Sequence, residues 1–306
     1  MLLNVVREFA STQPQRSAIV SIGKKPLSYA RMYDQIEAIG RQLRLGGLTR
    51  SARIGLALLD GPEAVLAILA VACHATVVPV NNSLGAEDLR LLFDHAELDA
   101  IIVADTTPFL VHEVARDCGL QVIESFSDRG QDIACNISVS EQSNAKTARS
   151  RPPSIALILN TSGTTGRPKL VPITHSNLLA EAAKMRDWFN LTPDDCCLSA
   201  LPLCYAHGLR EILFPPILTG GSIARPANHT QLDIITWLRE LKPSWYSTFP
   251  IFHRAIFEMI SANEADRPEH GLRFILSAGT PLDPELQKGL QSVLGIPWGI
   301  NCEKAQ

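Results

Sequence analysis

The stretch RIGLALLDGPEAVLAILAVACHATVVPV, residues 53 to 80, decides the fold. Within it, AVLAILAVACHATVVPV (64–80) is the most apolar run of the chain. Its first ten residues are uninterrupted, His74 then intervenes, and Pro79 and two asparagines follow. That is too short to cross a bilayer, so PEAVLAILAVACHA reads as a buried helix running into a buried strand, TVVPV. RIGLALLD before it is a short apolar strand. Strand, helix, strand with near-continuous apolar strands is the pattern of a parallel sheet covered on both faces.

The pattern continues outward. Toward the N-terminus, SYARMYDQIEAIGRQLRLGG places Met32, Ile36, Ile39 and Leu43 on one helical face and ends in Gly46-Gly47, a helix-stop signal. Toward the C-terminus, GAEDLRLLFDHAEL reads as a helix and DAIIVAD as another buried strand. Residues 127–153 are polar and aperiodic, a linker or long surface loop between two α/β regions. Beyond it, SIALILN, KLVPIT, CCLSALP, GGSIARP, PSWYSTFP and LRFILSAGTP read as strands. Helices are expected at SNLLAEAAKMRDWFN, GLREILFPPILTG, QLDIITWLREL, IFHRAIFEMISAN and DPELQKGLQSVLG. The first of these is capped by Thr174 or Ser176 and turns Leu178, Leu179, Ala182, Met185 and Phe189 inward. The expectation is two layered α/β subdomains with mainly parallel sheets. The first covers about 46–150; the second covers about 151–306 together with 1–45.

The totals exclude several classes. The chain has 306 residues, 46% hydrophobic and 19% charged, within the range of globular proteins. A net charge of −3 gives no electrostatic reason to expect nucleic acid or an anionic membrane. Seven cysteines without a CxxC spacing offer no disulfide framework or zinc site, and reduced thiols in a cytoplasmic protein are the expectation.

Chemistry concentrates in NTSGTTGRPKL, residues 160–170. Gly163 and Gly166 permit positive φ and close backbone approach, and successive N–H groups in such a turn converge on an anion. Thr161, Ser162, Thr164 and Thr165 add hydroxyl donors, and Lys169 adds a point charge on a long stem. The loop follows an apolar strand, at the edge where open α/β sheets bind ligands. It fits neither GxxxxGK[ST] nor GxGxxG. From composition alone it is a solvated turn or an anion cradle.

The whole string is more specific. TSGTTGRPK resembles the phosphate-loop signature of the adenylate-forming (AMP-binding) superfamily, which includes acyl-CoA synthetases and acyl-AMP ligases, and the following VPITHSNL is also similar to it. LPLCYAHGL, residues 201–209, resembles the family's next motif, in which an aromatic residue or histidine gates the carboxylate pocket. The resemblance makes Tyr205 that gate and places His207 and Gly208 beside it; a packed aromatic and a surface histidine are the alternative. Phe249, in PSWYSTFP, is then a wall of the acyl pocket or ordinary core packing. SAGTPL, residues 277–282, is similar to the adenine-contacting strand end, implicating Gly279, Thr280 and Pro281, or else a plain strand-to-helix turn.

The resemblance covers nearly the whole chain and implies ATP-dependent activation of a carboxylic acid. The carboxylate attacks the α-phosphorus and pyrophosphate leaves; the thiol of CoA or of an acyl-carrier protein then takes the acyl group. The loop would hold the β- and γ-phosphates electrostatically. Amino-acid-activating members place an aspartate just after the 205 region. YAHGLREIL has none, so a fatty, aryl or short dicarboxylic acid is preferred.

Part of the family pattern has no match. After GIP at 295–297 the sequence reads WGINCEKAQ, where a Tyr-Gly-x-Thr-Glu string should follow. That string supplies adenine stacking and the glutamate associated with Mg²⁺, and the role is not carried to Glu303. The ribose-binding aspartate and the C-terminal domain with the adenylation lysine also lack counterparts. The expectation is therefore the N-terminal portion of such a ligase, inactive alone, without an assigned metal ligand. The rival is a non-catalytic nucleotide- or acyl-binding module, or a subunit needing a partner chain.

Overall fold

The computed structural model describes residues 1–58, 61–126, 130–139, 151–152, 154–161, 169–227, 234–262, 268–296 and 299–301. Its strands are β1 (Ser17–Val20), β2 (Leu27–Ser28), β3 (Arg53–Ala57), β4 (Thr76–Pro79), β5 (Ala100–Ala104), β6 (Gln121–Phe126) and β7 (Asn136–Ser138). They continue with β8 (Ile155–Thr161), β9 (Lys169–Thr174), β10 (Cys196–Leu198), β11 (Ser222–Ala224), β12 (Trp245–Thr248), β13 (Phe274–Ser277) and β14 (Gly299–Asn301). The helices are α1 (Leu2–Thr12), α2 (Tyr29–Leu45), α3 (Pro62–His74), α4 (Ala86–His95), α5 (Phe109–Asp117), α6 (His175–Phe189), α7 (Phe214–Leu218), α8 (Ile234–Leu241), α9 (Pro250–Ala262) and α10 (Pro284–Leu294). A π-helix, Gly208–Leu213, runs directly into α7.

The strands form two seven-stranded sheets. One has the order β7-β6-β5-β3-β4-β8-β9, the other β14-β13-β12-β10-β11-β1-β2. Pairing is parallel except at β6/β7, β8/β9 and β1/β2. The α/β class with two mainly parallel sheets is as the sequence reads.

Helices α1, α2, α3, α6 and α7 lie between the sheets, and their apolar residues share one core with Ile54 and Val77 of the first sheet and Ile19 and Ile223 of the second. This explains why α3 is apolar all round: every residue from Ala64 to His74 is buried. Helix α2 buries the face read from its sequence, Met32, Ile36, Ile39 and Leu43, and Ser28 caps it by accepting from Arg31 N–H. Helices α4 and α5 cover the outer face of the first sheet, and α8, α9 and α10 that of the second.

Two boundaries differ from the sequence reading. β8 and β9 belong to the first sheet, through Val77↔Leu157, so that sheet extends to Thr174 and the expected boundary near 150 falls too early. The reason is a hairpin: β9 turns back antiparallel onto β8, leaving β9 as an edge strand. Second, the segment taken as a linker contains β7, paired antiparallel to β6, with Ile133, Cys135 and Ile137 buried. Strands β1 and β2 of the first 45 residues join the second sheet, while α1 and α2 pack in the shared layer.

Candidate active site

The hairpin β8–β9 frames the glycine- and threonine-rich string. Thr161, last in β8, is directly opposite Lys169, first in β9. β8 runs parallel to β4, so the string begins at the carboxyl edge of the first sheet. Lys169 is exposed there. Ser162, Gly163, Thr164, Thr165 and Gly166 lie outside the described residues, as does the side chain of Thr161. After β9, Thr174 caps α6 in a reciprocal capping box with Asn177.

A second group of side chains converges at the carboxyl edge of the other sheet. His207 stands at the entrance to the π-helix with its side chain nearly buried. Its Nδ1 is 2.8 Å from Glu211 Oε2, and its Nε2 is 2.8 Å from the Ser247 hydroxyl at the end of β12. Burial raises the Glu211 pKa, but the hydrogen bond and charge of His207, aided by Arg210 and Lys184, outweigh it and hold the carboxyl below its ordinary value. Phe249 packs against the His207 ring with centroids 5.5 Å apart.

Gly279 completes the arrangement. Ala278 N–H donates to Thr248 O, tying the end of β13 to the end of β12. Gly279 has φ +89°, and a Cβ there would lie 3.1 Å from the Phe249 ring. Phe249 thus touches both the His207 ring and the backbone at Gly279. Thr280 and Pro281 follow, exposed to solvent. Gly208 is required for a different reason: a Cβ would meet the carbonyl oxygen of Pro202 at 2.6 Å.

Tyr205 does not join this group. It is 51% exposed and lines a separate cavity of about 340 Å³ with Leu56, Ile68, Pro79, Asn81 and Asn82. That cavity lies at the seam where the carboxyl ends of β3 and β4 face the segment after β10.

Glu211, Ser247 and Arg225 were not singled out from sequence. Arg225 is fully buried at the end of β11 and donates to the carbonyls of Ser199 (2.6 Å) and Leu201 (2.7 Å). It thereby fixes the segment that leads to Pro202 and His207, and these bonds offset the cost of burying its charge. A charged residue at the end of an apolar strand was the available signal. Glu211 had one as well, four residues after a histidine in a helical pattern. Ser247 had none.

The chain matches the family model described as "AMP-binding enzyme" over residues 6–301, and it belongs to that family. Among curated proteins it is 28% identical to an oxalate–CoA ligase of Arabidopsis thaliana, covering 97% of this chain and 58% of that protein. It is 24% identical to a probable CoA ligase of Humulus lupulus, with the same two coverages. Among solved structures it superposes on VinN with a TM-score of 0.78 at 17% identity, covering 98% of this chain and 73% of that one. ATP-bound MatB from Rhodopseudomonas palustris gives 0.75 at 21%, covering 95% and 58%. These likenesses show the fold. The chain spans little more than half the length of the curated relatives named here.

Proposed function

We propose that the chain carries the acid- and nucleotide-binding part of an ATP-dependent acid–thiol ligase. The observation that supports this reading is Phe249, packed against both the polar His207–Ser247 pair and the strand end at Gly279. The polar pair suits the end of an acyl group, and the exposed turn Gly279–Thr280–Pro281 suits the edge of a flat base. The Thr161/Lys169 register sets a cation at a carboxyl sheet edge, and the hydroxyl-rich string between the two residues is in composition a donor set that suits a triphosphate. Among the described residues no group of three or more His, Cys, Asp or Glu could hold a metal.

In this reading the carboxylate oxygen attacks the α-phosphorus of ATP, pyrophosphate leaves toward the Lys169 loop, and the acyl-adenylate remains across Phe249. The loop acts by stabilising charge on the departing pyrophosphate. A thiol then displaces AMP. The names of the relatives favour CoA as that thiol over a carrier protein. The polar pair at the acyl face favours a short acid with an anionic distal group. Relatives named for oxalate and sulfoacetate agree with that choice.

The test is binding of a bisubstrate analogue, malonyl-sulfamoyl adenosine, in comparison with AMP. Two contiguous half-sites should bind the joined compound at least about a hundredfold more tightly than AMP. Equal affinity would break the reading. Acid-dependent exchange of pyrophosphate into ATP then measures separately whether this span performs the chemistry by itself.

A further inference from the structure

We infer that the exposed face of α6 is an interface between two copies of this chain, crossing antiparallel so that Trp188 of each enters a groove on the other. This surface is independent of the nucleotide and acyl reading above.

Helix α6 turns Leu178, Ala182, Met185 and Phe189 into the core, and its opposite side stays open. At 3.6 residues per turn, Asn177, Glu181, Lys184 and Trp188 form one stripe along that side. Trp188 ends the stripe, 62% exposed, with Lys184 Nζ 4.4 Å from its ring centre. An indole able to bury about 150–250 Å² is thus left largely in water. Beside the stripe lies a groove of about 360 Å³. Ile173 of β9, Asn177, Ala180, Glu181 and Lys184 of α6, and Arg210 of the π-helix line it. A single exposed tryptophan is ordinary. An exposed tryptophan and a groove on one helix face are a knob and a hole.

The charges choose the occupant. Glu181, Lys184 and Arg210 make half of the lining, with Arg210 Nη2 3.5 Å from Glu181 Oε2. The carboxylate would repel a phosphate, and three ionic groups suit no purely apolar partner. Both signs along one helix suit the twofold image of the same helix. In an antiparallel crossing centred between residues 181 and 184, Glu181 faces the partner's Lys184 and Trp188 faces the partner's Asn177. Each contact occurs twice, as an isologous interface requires. The indole then reaches the partner's Ala180 and the partner's Ile173, the apolar part of the groove. Edge-to-edge pairing along β9 suits less well, because Pro172 has no N–H to donate.

A contact confined to one helix face and its groove buries less than the ~1,200 Å² of standard complexes, so the dimer is weak, with a Kd on the order of 10 µM.

Sedimentation equilibrium from about 1 to about 300 µM, a range that brackets this Kd, tests the association. The wild type should pass from monomer to dimer across it. Trp188→Ala should weaken association at least about tenfold, as the loss of a central interface tryptophan does. Phe109→Ala removes a comparably exposed ring on α5 and should change nothing. Both positions are exposed, so thermal melts should show the fold intact. The register has its own readout. An equal mixture of unlabelled and ¹⁵N-labelled chains, coupled with carbodiimide, should yield an amide between Glu181 and Lys184 that joins a light peptide to a heavy one.

A chain monomeric throughout, a dimer indifferent to Trp188→Ala, or the absence of the mixed-isotope peptide overturns the inference. So does quenching of the Trp188 fluorescence by inorganic pyrophosphate in a monomeric chain, which would give the groove to an anion.

Discussion

The two halves of the candidate site are built in opposite ways. The proposed phosphate side is one continuous string of sequence whose two ends are paired in a hairpin, Thr161 opposite Lys169. The proposed acyl side is assembled from three distant pieces: the π-helix after β10, the end of β12 and the end of β13. A contiguous string carries its chemistry in its composition, whereas an assembled floor carries it only in the contacts the fold makes. Substitutions in the first should act on one ligand. Substitutions in the second should act on acid choice and on stability together.

The largest effect is expected on the phosphate side. Lys169→Ala removes a charged donor from the proposed triphosphate site, a loss typically worth roughly 10²–10³ in rate or affinity. ATP affinity by calorimetry should fall by about that factor while malonate affinity holds. A change confined to the acid would show that the two halves have been exchanged.

On the acyl side the next largest effect is a pH dependence of stability. His253 is fully buried, its Nε2 3.1 Å from the Leu276 carbonyl, to which it donates, and its Nδ1 3.4 Å from the Tyr246 hydroxyl. Burial lowers its pKa from 6.5 to about 4, only partly offset by the bond to Leu276. The folded state thus resists protonation while the unfolded chain accepts it. Stability from this group is full above about pH 6.5 and declines as pH falls toward 4, by a total of the order of 3 kcal/mol. His175, buried and lowered to about 4, works in the same direction. Thermal melts between pH 7 and 4.5 should show the decline, and His253→Gln should flatten it. Melts that rise on acidification would contradict the burial argument.

Gly208→Ala should cost about 1–3 kcal/mol, because the added methyl overlaps the Pro202 carbonyl at 2.6 Å and the backbone must shift. The shift displaces His207 directly, so malonate affinity should drop while ATP affinity changes little. Equal losses for both ligands would mean that the two halves move as one.

These contrasts also mark what was legible in sequence. The α/β alternation and the buried face of α2 were readable because local periodicity is a local property. The sheet assignment of β8 and β9 was not, since it depends on a pairing with β4 that residues 151–174 do not announce. β7 escaped because only one of its three residues, Ile137, is apolar. In the proposed site, Lys169, His207, Gly208, Phe249 and Gly279 were singled out because their strings resemble the family's motifs. Ser247 was not, because its only distinction is a contact with His207 forty residues away. Tyr205 is a further case: its string suggests a gate to the acid, and its side chain lines the seam cavity.

That residue supplies the smallest expected effect. Tyr205→Ala should change stability by no more than about 0.5 kcal/mol, since the side chain is 51% exposed. It lines the seam cavity beside Asn81 and Asn82, at the carboxyl ends of β3 and β4, whereas the acid is proposed to rest on His207 and Ser247. Preference for malonate over propionate should therefore shift less in Tyr205→Ala than in His207→Ala, and ATP affinity should hold in both. Calorimetry on the two variants side by side decides the matter. If Tyr205→Ala shifts acid preference more than His207→Ala does, the acid end belongs in the seam cavity. The π-helix and its histidine then serve only to frame it.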